Sequence, residues 1–169
     1  MSIAEDVRRL QSVPLFQGVD ETPLQALVFS AQRVQLPAGE TLFRAGEADD
    51  VAWLIRSGSV RVTAASASRK EETPEKVQSE REEVHHFGPG AFLGEMAMIA
   101  RLPHYFTAVA ETGITALKID NTLFMRACQE FPEFGKQVLA NALSRLETAM
   151  HDLERVRDLF ENAQSFTTR

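Results

Sequence analysis

The chain has 169 residues, one domain's worth, and its 44% apolar and 25% charged residues are the mix of a globular protein that buries a core without disulfides or metal. Twenty-four acidic against eighteen basic side chains give a net charge of −6, which excludes a general electrostatic affinity for nucleic acid or an anionic membrane. The lone Cys128 excludes an internal disulfide framework and any multi-cysteine zinc site.

Residues 1–10 mix charge with apolar side chains and lack the apolar stretch of a signal peptide. No run approaches the roughly 18 apolar residues of a membrane span, so a cytoplasmic location without membrane contact is expected. Ile3, Val7 and Leu10 fall at helical spacing and predict a short amphipathic helix that Pro14 ends. Asp20 can cap a second helix, with Pro23 tolerated in its first turn and Leu24, Leu27 and Val28 forming its apolar face.

From residue 32 to 119 the apolar period becomes two. RVQL, TLF, VAWLI, SVRVTA, EVHHF, FTAVA and ITALKI predict short strands separated by glycine-containing corners, the pattern of a sandwich, barrel or jelly roll. Residues 64–83 interrupt it with ten charges in twenty residues and one large apolar side chain, Val77. Such a stretch cannot bury enough surface to offset its ordering entropy and is expected to be a mobile loop.

After Asp120 the helical period returns. Asp120 or Asn121 can cap a helix through Leu123, Phe124 and Ala127, and Pro132 opens another. From Gly135, the residues Leu139, Ala142, Leu146, Ala149, Leu153, Val156 and Phe160 alternate spacings of three and four, an a/d heptad seam. Leu143 and Met150 widen the stripe. A helix apolar on two adjacent strips predicts that one packs on its own domain and the other on a second copy, a homodimer in which Asp152 and Arg157 can pair across the seam.

Three stretches together carry a family resemblance. They are Leu15-Phe16 with Gly18; residues 36–40, Gly46-Glu47 and 53–62 (WLIRSGSVRV); and residues 90–99 (GAFLGEMAMI) followed by Pro103. The chain resembles the cyclic-nucleotide-binding β-roll domain of catabolite-activator-type regulators, kinase regulatory subunits and gated channels. The resemblance implies a mainly β fold with flanking helices: a double-stranded β-helix or jelly roll plus a long C-terminal dimerisation helix. It divides the chain into a β-roll with N-terminal helices at 1–134, the long helix at 135–163 and a tail at 164–169. It implies cyclic AMP or cyclic GMP as the ligand.

The residues of the third stretch suit that ligand class in part. A glycine turn lets backbone N–H groups approach phosphate oxygens without a Cβ in the way, and Gly94 with the amides of Glu95, Met96 and Ala97 can do this. Glu95 either accepts from a ribose hydroxyl, as the resemblance implies, or caps the short helix that follows. The resemblance also implies an arginine directly after Pro103, a permanently charged fork on the phosphate. Here His104 stands there, followed by Tyr105 and Phe106 where small residues are usual. Losing such a contact typically costs a hundredfold or more in affinity, so cyclic nucleotide binding no tighter than about 10 μM is expected. Arg101 is near enough in sequence to reach in from the loop. Where the activator branch places hydroxyl side chains for adenine on the long helix, this chain has Ala149 and Met150.

His85 and His86 are adjacent, so on a strand they face opposite ways and cannot share a metal. There is no nucleophile elbow, Walker loop or paired carboxylates at hydrolytic spacing, so no catalysis and no metal site are expected. The DNA-reading domain of the activator branch needs more chain than follows Phe160, so direct nucleic-acid binding is not expected. Two functions remain: a stand-alone sensor that binds a small ligand or nucleotide and relays occupancy through the C-terminal helix, or a dimeric protein-interaction module with a degenerate pocket.

Overall fold

In a computed structural model, residues 2–64 and 84–165 are described, with side chains described through His151. The charged stretch expected to be a mobile loop lies, beyond Ala64, outside the described residues, as do the side chains of Leu153, Val156 and Phe160.

Among the described residues, eight strands form two four-stranded antiparallel sheets. One sheet orders β1 (Gln32–Leu36), β8 (Ile114–Asp120), β3 (Val51–Ser57) and β6 (Phe92–Leu93). The other orders β2 (Thr41–Phe43), β7 (Phe106–Ala110), β4 (Val60–Ala64) and β5 (Val84–Phe87). This is the expected β-roll; the two-residue β6 is the strand that the sequence pattern is too short to reveal.

The apolar run VAWLI is buried on both faces because β3 separates two cores. Trp53 and Ile55 face the inside of the roll with Phe43, Val60, Val62 and Ala116. Ala52 and Leu54 face outward and meet Leu117 and Ile119 of β8 under the helical layer. Strict alternation of side chains thus serves two cores from one strand. The β3–β4 turn requires Gly58: its φ is +84°, and a Cβ there would lie 2.4 Å from the carbonyl oxygen of Gly113.

The helical layer comes from both ends of the chain. α1 (Ile3–Ser12) is capped by Ser2 and buries Val7 and Leu10. It also buries Asp6, which pairs with Arg56 at the end of β3 at 3.0 Å. α2 (Glu21–Ser30) buries Pro23, Leu24, Leu27 and Val28. α3 (Glu95–Ala100) follows β6, and α4 (Asn121–Glu130) is capped by the Asp120 carboxylate, which accepts from Leu123 N–H. α5 runs unbroken from Pro132 to Ser165, so the heptad stretch is continuous with the helix that Pro132 opens.

Phe134 and Val138 bury α5 against its own domain, with Phe134 stacked on Phe16 and edge-on to Phe124. One turn on, Asn141 Nδ2 donates to the carbonyls of Leu15 and Gln17, both at 2.9 Å. Beyond Ala142 the described part of the helix leaves the domain. The apolar strips read from the sequence are exposed at Leu139, Leu143, Leu146 and Met150, whereas Ala142 of the seam packs against the domain. The domain-facing strip is instead Phe134, Val138 and Ala142.

Candidate functional site

A cavity of about 360 Å³ opens between β4–β5, β6–α3 and the loop into β7. All six residues expected at the site line it: Gly94, Glu95, Met96, Ala97, His104 and Tyr105. The rest of the wall is largely aromatic, from Phe43, Phe87, Phe92 and Phe106.

Gly94 sits at the narrowest point. Its φ is +83°, and a Cβ would lie 2.6 Å from the Val51 carbonyl oxygen and 3.0 Å from His104 Cε1. The glycine thus allows three segments to close on one another: the end of β6, the start of β3 and the loop before β7. The first intrahelical bond of α3 runs from Met98 N–H to Gly94 O, so the amides of Glu95, Met96 and Ala97 precede the helical ladder.

His104 is a buried residue, fixed by backbone and ring together. Its N–H donates to Glu47 O and its carbonyl accepts from Gly46 N–H. The ring stacks on Phe43 with centroids 3.9 Å apart and planes 12° from parallel. Nε2 lies 2.5 Å from Asp49 Oδ1. A carboxylate only accepts, so the ring proton at this contact belongs to Nε2. Asp49 is a partner that sequence reasoning missed; it comes from a loop 55 positions away and no periodicity marks it.

Glu95 has a partner that neither expectation named. It is the first residue of α3, and its carboxylate forms an ion pair at 2.6 Å with Arg145 of α5. Arg145 was also missed, because nothing local to either stretch joins them. Arg101 does not reach the cavity. It ends α3 in the left-handed region at φ +53°, and its Nε donates to Asn121 Oδ1 at 3.1 Å, with Asp50 nearby. Asn121 in turn donates to Met98 O, which ties the end of α3 to the start of α4.

The two adjacent histidines face opposite ways. His85 lines the cavity, whereas His86 Nδ1 lies 3.0 Å from the Glu111 carboxylate on the outer side. That hydrogen bond holds Glu111 below the usual carboxylate range. Burial pushes the Cys128 thiol up, away from the thiolate form a nucleophile needs. Among the described residues, no group of three potential ligands could hold a metal ion, and no helix is long and apolar enough to cross a membrane.

The profile of the family described as the cyclic nucleotide-binding domain matches residues 33–131. A cyclic nucleotide-gated potassium channel of Mesorhizobium japonicum is 32% identical over 79% of this chain, which spans 33% of the channel's length. A CRP-like cAMP-activated global transcriptional regulator of Mycobacterium tuberculosis is 27% identical over 92% of the chain and 69% of the regulator. Among solved structures, a cyclic nucleotide-binding-like protein from Brucella abortus superposes with a TM-score of 0.60 at 32% identity, covering 74% of this chain and 98% of that one.

Proposed function

The chain belongs to the cyclic nucleotide-binding domain family, a family of non-catalytic regulatory domains, and from that premise we propose that it is a sensor module whose β-roll cavity holds a small ligand and whose α5 carries occupancy outward. The observation that carries this reading is the Glu95–Arg145 ion pair. Glu95 lines the cavity and Arg145 stands on the part of α5 that leaves the domain, so one contact joins ligand site and output helix. A ligand donor that engages Glu95 competes with Arg145 for the same oxygens, and that competition biases how α5 is held.

Cyclic AMP and cyclic GMP fit the site poorly. Where the family resemblance places a permanently charged fork, His104 is stacked and paired with a carboxylate. No lysine or arginine is among the described residues lining the cavity. Calorimetry with either nucleotide is expected to show no binding tighter than about 10 μM, roughly −7 kcal/mol. Submicromolar binding at pH 7 overturns this part.

The relay is tested by hydrogen exchange. Arg145→Met should speed exchange of the α5 amides from Leu143 to His151 at constant global stability. A partly exposed pair contributes no more than about 1 kcal/mol, so the fold itself is expected to stand. Unchanged exchange in α5 overturns the relay.

A second reading is favoured by the exposed stripe of Leu139, Leu143, Leu146 and Met150. In it the chain is a homodimeric interaction module with a degenerate pocket, acting through α5 toward a protein partner. The two readings share the dimer and part at the cavity.

A further inference from the structure

We propose that the cavity takes an uncharged, flat aromatic molecule bearing a hydroxyl or amino donor. This rests on the sensor reading and names its ligand class.

Charge decides first. The side chains that bear on the cavity are matched in pairs. His104 faces Asp49 across a hydrogen bond. Glu95 faces Arg145, a second matched pair. An anion entering here leaves water, meets no lysine or arginine among the described lining residues and lies beside the Glu95 carboxylate, so the backbone amides at the start of α3 are left to offset its desolvation alone. A cation gains little, because Arg145 already balances the charge of Glu95 through Oε1, while the second carboxylate oxygen is left to accept a hydrogen bond.

Shape decides next. Phe87, Phe92, Tyr105 and Phe106 line the cavity, the last two exposed to solvent, and the His104 ring stacks on Phe43. Flat faces set around about 360 Å³ favour stacked and edge-on contacts with a planar ring. The polar side chains that remain on its lining are few: the Glu95 carboxylate as acceptor, the His85 imidazole and the Tyr105 hydroxyl. The carboxylate accepts from a hydroxyl or amine hydrogen and repels a phosphate oxygen, and the other two can donate or accept beside it.

The test uses the full chain and three probes of one shape: benzyl alcohol, benzoate and benzylammonium. Each is titrated into isotope-labelled protein while the amide resonances of Gly94, Ala97 and Tyr105 are followed. Benzyl alcohol is expected to saturate at a concentration at least tenfold below either ion. Benzoate or benzylammonium binding within tenfold of the alcohol, or tighter, overturns the proposed ligand class and leaves the sensor reading standing. No shift of these amides with any probe overturns both.

Discussion

His104 Nε2 and Asp49 Oδ1 stand 2.5 Å apart, and the pair occupies the position after Pro103 where the family resemblance implies an arginine. Asp49 keeps a partner while the permanent charge is gone. His104→Arg restores that charge, and Asp49 is placed to satisfy the inner side of the guanidinium. The variant is expected to bind cyclic AMP at least tenfold more tightly than the wild type, about 1.4 kcal/mol, by calorimetry at pH 7. Equal affinities in a folded variant would mean that something other than the missing arginine limits binding.

Gly94 is fixed by what surrounds it. Alanine there keeps a φ of +83°, and its methyl meets the Val51 carbonyl oxygen and the His104 ring. The backbone penalty is about 1 kcal/mol, and the overlap with a carbonyl in a central strand adds to it. Gly94→Ala is expected to lower unfolding stability by about 2 kcal/mol or more, read as a shifted urea midpoint with unchanged slope. A variant within about 0.5 kcal/mol of the wild type would show that the β6–α3 turn yields easily.

Much of this arrangement is legible in the sequence. Strand period, glycine punctuation and Pro132 place the roll and α5, and the GAFLGEMAMI stretch places four of the expected lining residues, with His104 and Tyr105 following Pro103. What escapes is every contact that joins distant segments. Asp49 meets His104, and Arg145 meets Glu95, across separations that local periodicity cannot encode. The domain-facing side of α5 also escapes. Val138 and Phe134 lie before the heptad seam becomes regular, and it is Phe16 and Phe124, not the helix's own pattern, that select them. In the sequence His85 reads as one of two mismatched metal ligands, yet alternation along β5 is what turns it into the cavity.

On the outer side of β5, His86 lowers the pKa of Glu111 through their hydrogen bond. A carboxyl whose folded-state pKa is depressed contributes stability above its unfolded value and loses it as pH falls through the folded value. The window therefore lies in the acid range, below the ordinary carboxylate pKa. In a carbon-detected titration, His86→Ala should move the Glu111 carboxyl midpoint upward. A midpoint that stays put would assign the depression to Arg61 or Ser59, the other groups that lower it.

The dimer expected through α5 rests on side chains that the domain itself does not use. Leu146 is 57% exposed, and Leu139, Leu143 and Met150 are exposed to a similar degree on the same helix. A monomer leaves these groups in water, whereas burying one leucine is worth about 1.5–3 kcal/mol, and a two-fold seam counts each position twice. Leu146→Asp replaces that gain with two carboxylates facing each other in an apolar seam. Sedimentation at tens of micromolar is expected to give a dimer for the wild type and a monomer for Leu146→Asp. Far-ultraviolet dichroism of the domain should be preserved, because Leu146 is not part of either core. Leu146→Met keeps the apolar volume and should remain dimeric, which separates loss of packing from loss of the leucine itself. A monomeric wild type at these concentrations refutes the seam and would assign the exposed stripe to a different protein partner.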